Sequence, residues 1–224
     1  MTPRRRRWLR RLLFVLILAG AAYFARQPLL RGLAGFLVVE DPVREADAVL
    51  LLDGDRGPER AAELYHAGAV KRVLLLREPP RRLERFDALP NLTELYRAEL
   101  ERYGVPATAV EVLETEKRGD WNNARRLCDW LNEHPESQVI VQCARFASRR
   151  TRCLFERELG GLSGQVRWRA LADRRYDETD WYRHRAGAID LFDSYLGWGH
   201  VKVYGDALGD RDEWDPDAYR NSLR

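Results

Sequence analysis

The segment VLLLDGDRGPERAAELY, residues 49–65, has the order of a phosphate-binding strand, turn and helix. Its turn places Gly54 between the carboxylates of Asp53 and Asp55. Two like charges about 4 Å apart repel by about 1 kcal/mol in bulk water and about 4 kcal/mol at an effective dielectric near 20. A phosphate bound at this turn would therefore need a divalent cation, held by Asp53 and Asp55, between it and the protein.

The same carboxylates also have a structural interpretation. Negative charge stabilises a helix N-terminus, so Asp53 or Asp55 can cap the first helix and pair with Arg56 or Arg60. The sequence leaves the cation site and the helix cap as alternatives.

From residue 47 onward, short apolar runs alternate with helical patterns. Strands are predicted over 48–52, 70–76, 109–113, 137–143 and 165–171, the last with the alternation of an edge strand. Helices are predicted over 57–68, 91–104, 120–134 with Asp120 as N-cap, 148–161 and, as one long element, 177–199. Such alternation predicts an α/β fold, a doubly wound, mainly parallel, five-stranded Rossmann-like sheet with helices on both faces.

In an open parallel sheet, ligands bind beyond the carboxyl ends of the strands, where the strand order reverses. With the order 3-2-1-4-5, that point lies between the first and fourth strands. Asp53 to Asp55 then face residues 142–147, with Arg145 and Arg149 close by. Four aspartates on or before the last helix are able to reach this crevice, although an exposed acidic face also explains them: Asp177, Asp180, Asp190 and Asp193.

The N-terminus has the pattern of a membrane-targeting segment. Six arginines, Arg4, Arg5, Arg6, Arg7, Arg10 and Arg11, lie within the first eleven residues, well before the first acidic residue, Glu40. They account for the net charge of +3, because without them 32 basic residues face 35 acidic ones and the net charge is −3. The body therefore has no electrostatic bias toward nucleic acid. The apolar run 12–25 is a signal anchor with cytoplasmic arginines or, alternatively, a cleaved signal peptide.

With an anchor, the chain divides into four parts: a basic flank and single-pass inner-membrane helix over 1–30, a linker over 31–45, the α/β domain over 46–205 and an acidic tail over 206–224. The α/β domain would then lie in the bacterial periplasm. Cys128, Cys143 and Cys153 allow one disulfide in such a compartment, but small buried apolar residues are the more common role.

The segments 46–76, 103–127 and 139–152 resemble the SanA/YdcF/ElyC-like family of bacterial envelope proteins, and the resemblance extends over about half of the chain. That family has a glycine turn after the first strand, Ser-Gly-Gly after the second, and a histidine after the fourth. This sequence keeps Gly54, Arg60, Leu64, Tyr65, Gly68, Glu116, Asn123 and Arg149. It departs at Asp53 and Asp55, at residues 77–79, which read Arg-Glu-Pro, and at Phe146, which replaces the histidine.

The resemblance implies a membrane-anchored envelope protein that binds an envelope-related ligand or partner in an altered site. The candidate ligand-binding residues are Asp53, Gly54, Asp55, Arg60, Glu116, Asn123, Arg145 and Arg149. The ligand expected is small and phosphate-containing or nucleotide-like. One alternative is a metal-assisted transferase or hydrolase acting on a phosphate-containing envelope precursor, with a divalent cation at Asp53 and Asp55. A third hypothesis is a structural scaffold that binds no ligand.

Overall fold

The fold is an open, five-stranded parallel sheet with helices on both faces, in the order β3-β2-β1-β4-β5. This computed structural model describes residues 14, 20, 23–42, 44–52, 56–80, 84 and 90–205. The strands are β1 Ala48–Leu51, β2 Arg72–Arg77, β3 Val110–Glu114, β4 Val139–Ala144 and β5 Val166–Leu171. The helices are α1 over 23–37, α2 Gly57–His66, α3 Leu92–Arg102, α4 Asp120–Glu133, α5 Ser148–Leu159 and α6 Arg185–Tyr204. The predicted α/β class and strand order are confirmed.

The sheet is parallel throughout, and each of the first four strands is joined to the next by a crossover that contains a helix. β1 lies at the centre, and its Leu51 is in register with Leu75 of β2 and with Gln142 of β4. The carboxyl ends of β1, β2 and β4 therefore meet at one edge, and the strand order reverses between β1 and β4.

Two apolar layers hold the helices on the sheet. Alternate residues of β1 face opposite layers, since Val49 and Leu51 pack with α2 and α3, whereas Ala48 and Leu50 pack with α4 and α5. Trp130 and Phe155 are the largest completely buried side chains of the second layer. These layers make the strands read as continuous apolar runs in the sequence.

A third apolar cluster joins α1 to α6 beside the carboxyl end of β4. It contains Ala34 and Leu37 of α1, Phe146 after β4, and Leu191 of α6. Residues 31–37 of the predicted linker are thus part of a packed helix. The rest of that segment is also held, because Asp41 accepts a hydrogen bond from the Trp168 backbone N–H of β5 at 2.9 Å.

The predicted start of the last helix is wrong. The long helix expected over 177–199 begins only at Arg185, after a short 3-10 turn over Trp181–Arg183. Side chains compete with the backbone there, since Asp177 accepts from the Thr179 N–H and Asp180 accepts from the Asp177 N–H.

At α4, Gly119 and not Asp120 occupies the N-cap position. Its φ of 107° lies in the region that favours glycine. Asp120 is the first helical residue, and its carboxylate faces Arg150 of α5.

The membrane-anchor prediction lies largely outside the described residues, as does the tail over 206–224. Within the described part of the chain, no helix has the length and apolar character needed to cross a membrane.

Candidate functional site

A cavity of about 430 Å³ opens where the carboxyl ends of β1, β2 and β4 meet. This is the volume range of small-molecule sites, and it is the position at which parallel α/β sheets bind ligands. Its apolar wall includes Leu51, Leu76 and Tyr96. Its polar lining comprises Glu78, Glu84, Asn91, Thr93, Arg118, Asp120, Asn123, Arg150 and Thr151.

Three chain segments deliver the polar groups. β2 ends at Arg77, which places Glu78 at the edge of the sheet. The loop after β3 leads through Arg118 into α4, and the loop after β4 leads into α5 with Arg150 in its first turn. Each group follows a strand end, as expected for a site built on loops over a rigid sheet.

Glu78 occupies the N-terminus of α4 as an internal anion. Its carboxylate accepts from the Gly119 backbone N–H at 3.1 Å and from Asn123 Nδ2 at 3.0 Å. Arg118 Nη2 lies 2.9 Å from its other oxygen and completes the pair. A helix N-terminus and an arginine both favour negative charge, so Glu78 already neutralises this side of the cavity.

Of the two arginines that line the cavity, Arg150 makes fewer hydrogen bonds to the described residues than Arg118. Its Nη2 lies 3.4 Å from Asp120 Oδ2, longer than the roughly 2.7–2.9 Å of a good charge-assisted bond. Its Nε is buried and has no hydrogen-bond partner among the described residues. The side chain also lines the second cavity described below, so it separates the two spaces.

Gly197 of α6 makes room for Arg150. A Cβ atom at position 197 would lie 2.8 Å from both Cδ and Nη1 of Arg150. Only glycine allows this guanidinium to pass α6 in its observed position, so α6 helps to position a group that lines the cavity.

Asn123 contributes a buried acceptor. Its side-chain carbonyl Oδ1 has no hydrogen-bond partner in the described part of the molecule, although the amide nitrogen binds Glu78. A buried polar atom left without a partner costs about 1–3 kcal/mol, so a ligand donor at this atom would be stabilising. Among the predicted ligand-binding residues that the structure describes, Asn123 is the one that lines the larger cavity.

Gln142 of β4 is a second buried amide close to the same strand ends. It is completely buried, and neither amide atom has a partner within the described residues. It lies on the α2 face of the sheet, because Ile140, two residues earlier in the same strand, packs in the layer with α2. In the sheet it is in register with Leu51 of β1 and with Arg169 of β5. This unsatisfied amide therefore lies beside Leu51, at the carboxyl end of β1.

The other predicted residues are distributed around the crevice. Arg145 lines the second cavity and pairs with Glu178 at 2.7 Å. Arg60 pairs with Glu63 along α2 at 2.5 Å, and Glu116 is exposed and lines neither cavity. Asp53, Gly54 and Asp55 lie outside the described residues, so the choice between a cation site and a helix cap stays a prediction.

Arg149 points away from the larger cavity. It donates a hydrogen bond to the Phe36 carbonyl of α1, and its guanidinium lies 4.4 Å from the centre of the Phe36 ring. The neighbouring Arg150 lines the cavity in its place. One position along a helix turns a side chain by about 100°, and this decides which of two adjacent arginines enters the crevice.

A second cavity of about 220 Å³ lies between β4, β5 and α6. Phe146, at the family's histidine position, stacks on Tyr176 in its wall. Tyr176 donates to Asp190, and burial together with this carboxylate raises the pKa of the tyrosine well above its ordinary value. Asp193 and Ser194 complete the α6 side.

Glu78, Arg118 and Arg150 were not predicted as site residues. The sequence did carry a signal for Glu78, since residues 77–79 depart from the family pattern where glycines are expected. Arg118 and Arg150 carry no comparable signal, because each lies next to other charged residues in the sequence.

Two further findings concern possible metal sites and the similarity of the chain to known proteins. Across the described ranges, no group of three or more His, Cys, Asp or Glu side chains is placed to hold a metal ion. No protein-family model matches the chain, and no curated protein sequence matches it.

Proposed function

We propose that the protein is a membrane-anchored envelope protein of the SanA/YdcF/ElyC-like family that binds a small phosphate-containing ligand in the larger cavity. Its α/β domain would face the periplasm, as the arginine-rich N-terminus and the following apolar run indicate. The observation that carries the binding proposal is the incompletely paired Arg150 guanidinium in a cavity at the sheet's switch point.

The cavity offers complementary groups for such a ligand. Arg150 Nε and the weakly engaged Nη2 can donate to a phosphate oxygen, and Asn123 Oδ1 can accept from a ligand hydroxyl or amide. Leu51, Leu76 and Tyr96 supply an apolar wall against which a sugar or base can pack. Because Glu78 already occupies the α4 N-terminus, the phosphate is expected at Arg150.

The enzymatic alternative shares this cavity and adds a cation at Asp53 and Asp55. It requires ligand binding to depend on a divalent metal, because two carboxylates would otherwise repel the phosphate. The two proposals therefore differ in one measurable property, the metal dependence of binding.

The test is a thermal-shift titration of the detergent-solubilised full chain with inorganic phosphate, a nucleoside diphosphate and a sugar nucleotide, each with and without Mg²⁺. Binding without metal supports the simple ligand-binding function. A shift that requires Mg²⁺ and is lost in Asp53→Ala or Asp55→Ala supports the metal-assisted enzyme. No shift with any probe, in protein with the unfolding transition intact, contradicts both.

A further inference from the structure

Helix α6 exposes an apolar stripe on the side opposite its packed face. Phe192, Leu196 and Val203 are 64%, 74% and 73% exposed, and Ile189 begins the same stripe one turn earlier. The spacing of these residues places them on one side of a helix, whereas Leu191 and Val201 are buried on the other. A helix that is apolar on both sides normally has both sides covered.

Helix α1 carries a matching stripe. Leu29, Leu33 and Phe36 recur at helical spacing and are all exposed. Phe36 stacks on Tyr195 of α6 with ring centroids 6.0 Å apart, and the Tyr195 hydroxyl donates to the Leu33 carbonyl at 2.7 Å. The stripes of α1 and α6 therefore meet at this contact and form one surface, here called the α1–α6 apolar surface.

We propose that the α1–α6 apolar surface rests on the lipid bilayer and holds the α/β domain against the membrane in a fixed orientation. This inference rests on the membrane location in the proposed function. Exposed apolar patches of this kind mark protein or membrane contacts, and three further features favour a bilayer.

The first feature is continuity with the membrane-targeting segment. The apolar run 12–25 ends within α1, so no linker separates it from the surface. At a rise of about 1.5 Å per residue, Phe36 is only about 20 Å along α1 from Tyr23. A bilayer reached by residues before 25 is therefore the nearest apolar phase for the stripe.

The second feature is the chemistry of the N-terminal part of α1. The Arg26 guanidinium lies 3.9 Å from the centre of the Tyr23 ring, and Tyr23 and Phe24 are exposed. Aromatic and basic residues of this kind concentrate at membrane interfaces, where the ring lies at headgroup depth and the cation meets lipid phosphate.

The third feature is the distribution of charge. Exposed cations accompany the surface, Arg26 and Arg31 on α1 and Arg185 and Lys202 on α6. The acidic residues of α6, Asp190 and Asp193, are also exposed, but both line the second cavity, and Asp190 accepts from Tyr176. An apolar stripe accompanied by cations suits anionic lipid, into which such helices bury about 5–10 Å.

The experiment places a fluorophore on the surface of the full chain reconstituted in phosphatidylethanolamine–phosphatidylglycerol vesicles. The label is an environment-sensitive dye at Leu196→Cys in a Cys128→Ser, Cys153→Ser background, with Cys143 left in place because it is buried. The matched control is Leu95→Cys, an exposed leucine of α3, which packs on the opposite face of the sheet.

Lipid carrying a spin label at a shallow acyl position is expected to quench the Leu196 label several-fold more than the Leu95 label. Aqueous iodide should show the reverse order. A second label at Phe192→Cys should behave like Leu196, which excludes an effect of one substitution.

Equal lipid quenching at Leu196 and Leu95 would overturn the inference. Protection of Leu196 from iodide without lipid quenching, together with crosslinking between copies, would assign the surface to a dimer and also overturn it. Flotation of the full chain with the vesicles is measured as an independent test of membrane binding. Chain that does not float contradicts the membrane location itself, whereas chain that floats with an unquenched Leu196 contradicts only the bilayer contact of α6.

Discussion

Replacing Gly187 with alanine tests whether α6 docks on the body as described. A Cβ atom at this position would lie 2.7 Å from the Trp181 carbonyl oxygen and 2.9 Å from Tyr176 Cγ. The first neighbour is backbone, so the added carbon forces α6 or the Trp181–Arg183 turn to move. Overpacking of this kind costs about 1–3 kcal/mol, only partly offset by the up to about 1 kcal/mol that alanine gains over glycine in a helix.

Gly199→Ala in the same helix is the matched control. No atom outside the helix lies within 4 Å of a Cβ at position 199, so the substitution adds only helix propensity. Gly187→Ala is thus expected to lower the free energy of unfolding by about 1–2 kcal/mol and Gly199→Ala to raise it by up to about 1 kcal/mol. For a domain of this size the two variants should differ in Tm by roughly 2–12 °C.

The assay is thermal unfolding of the detergent-solubilised full chain, followed by tryptophan fluorescence. Trp181 is buried in the cluster that joins α1 and α6, so its environment reports the contact in question. If Gly187→Ala unfolds at the same temperature as Gly199→Ala, α6 does not pack on the Trp181 turn and the described docking is refuted.

Three further predictions concern single groups. Hydrogen bonds from Lys71 and from the Gln138 N–H hold the pKa of Asp47 below its ordinary 3.8. The stability that the ionised Asp47 carboxylate contributes to the fold is therefore present above about pH 4, and it is lost as the pH falls through the lowered pKa. Asp47→Asn should destabilise the chain by about 1 kcal/mol in neutral urea titrations and match wild type in strong acid, and a gap that persists unchanged at low pH would contradict this. Gly197→Ala should weaken the binding of whichever phosphate probe stabilises the wild type. It should not lower Tm, because only the flexible Arg150 side chain must move to make room for the added carbon. Unchanged binding would show that Gly197 does not position Arg150 for the ligand. Burial raises the pKa of the Cys128 thiol, so maleimide labelling at pH 7 should be slower than for a free thiol, and equal rates would refute that burial.

Much of the sheet was predictable because its strands are buried on both faces. Continuous apolar runs at β1, β2 and β4 identify the strands, and the observed strand ends differ from the predicted ones by only one or two residues. Helix starts were less predictable, since they depend on side-chain hydrogen bonds that have no periodicity. At α4, glycine occupies the positive-φ N-cap in place of the predicted Asp120, and at α6 the side-chain hydrogen bonds of Asp177 and Asp180 hold residues 177–180 outside the helix.

The position of the site was also predictable, but its polar lining was only partly so. Strand order alone places a crevice between β1 and β4, and Asn123 lines it. The sequence could not predict that Arg150 rather than Arg149 lines the cavity, because the two arginines are adjacent at the start of α5. Arg149 is held away from the cavity by its contact with Phe36 of α1. Glu78 lies in a loop that no periodic pattern describes.

The central claim is that Arg150 binds the phosphate of a ligand in the larger cavity. The most direct test compares Arg150→Gln with Arg149→Gln in calorimetric titrations of the full chain with inorganic phosphate, a nucleoside diphosphate and a sugar nucleotide. Loss of a hydrogen bond to a charged group costs about 1.5–3 kcal/mol, so Arg150→Gln should weaken the binding probe by about 10- to 100-fold. Arg149→Gln, on the Phe36 side of α5, should bind like wild type. Unchanged affinity in Arg150→Gln, or a loss of affinity confined to Arg149→Gln, would contradict the proposed site.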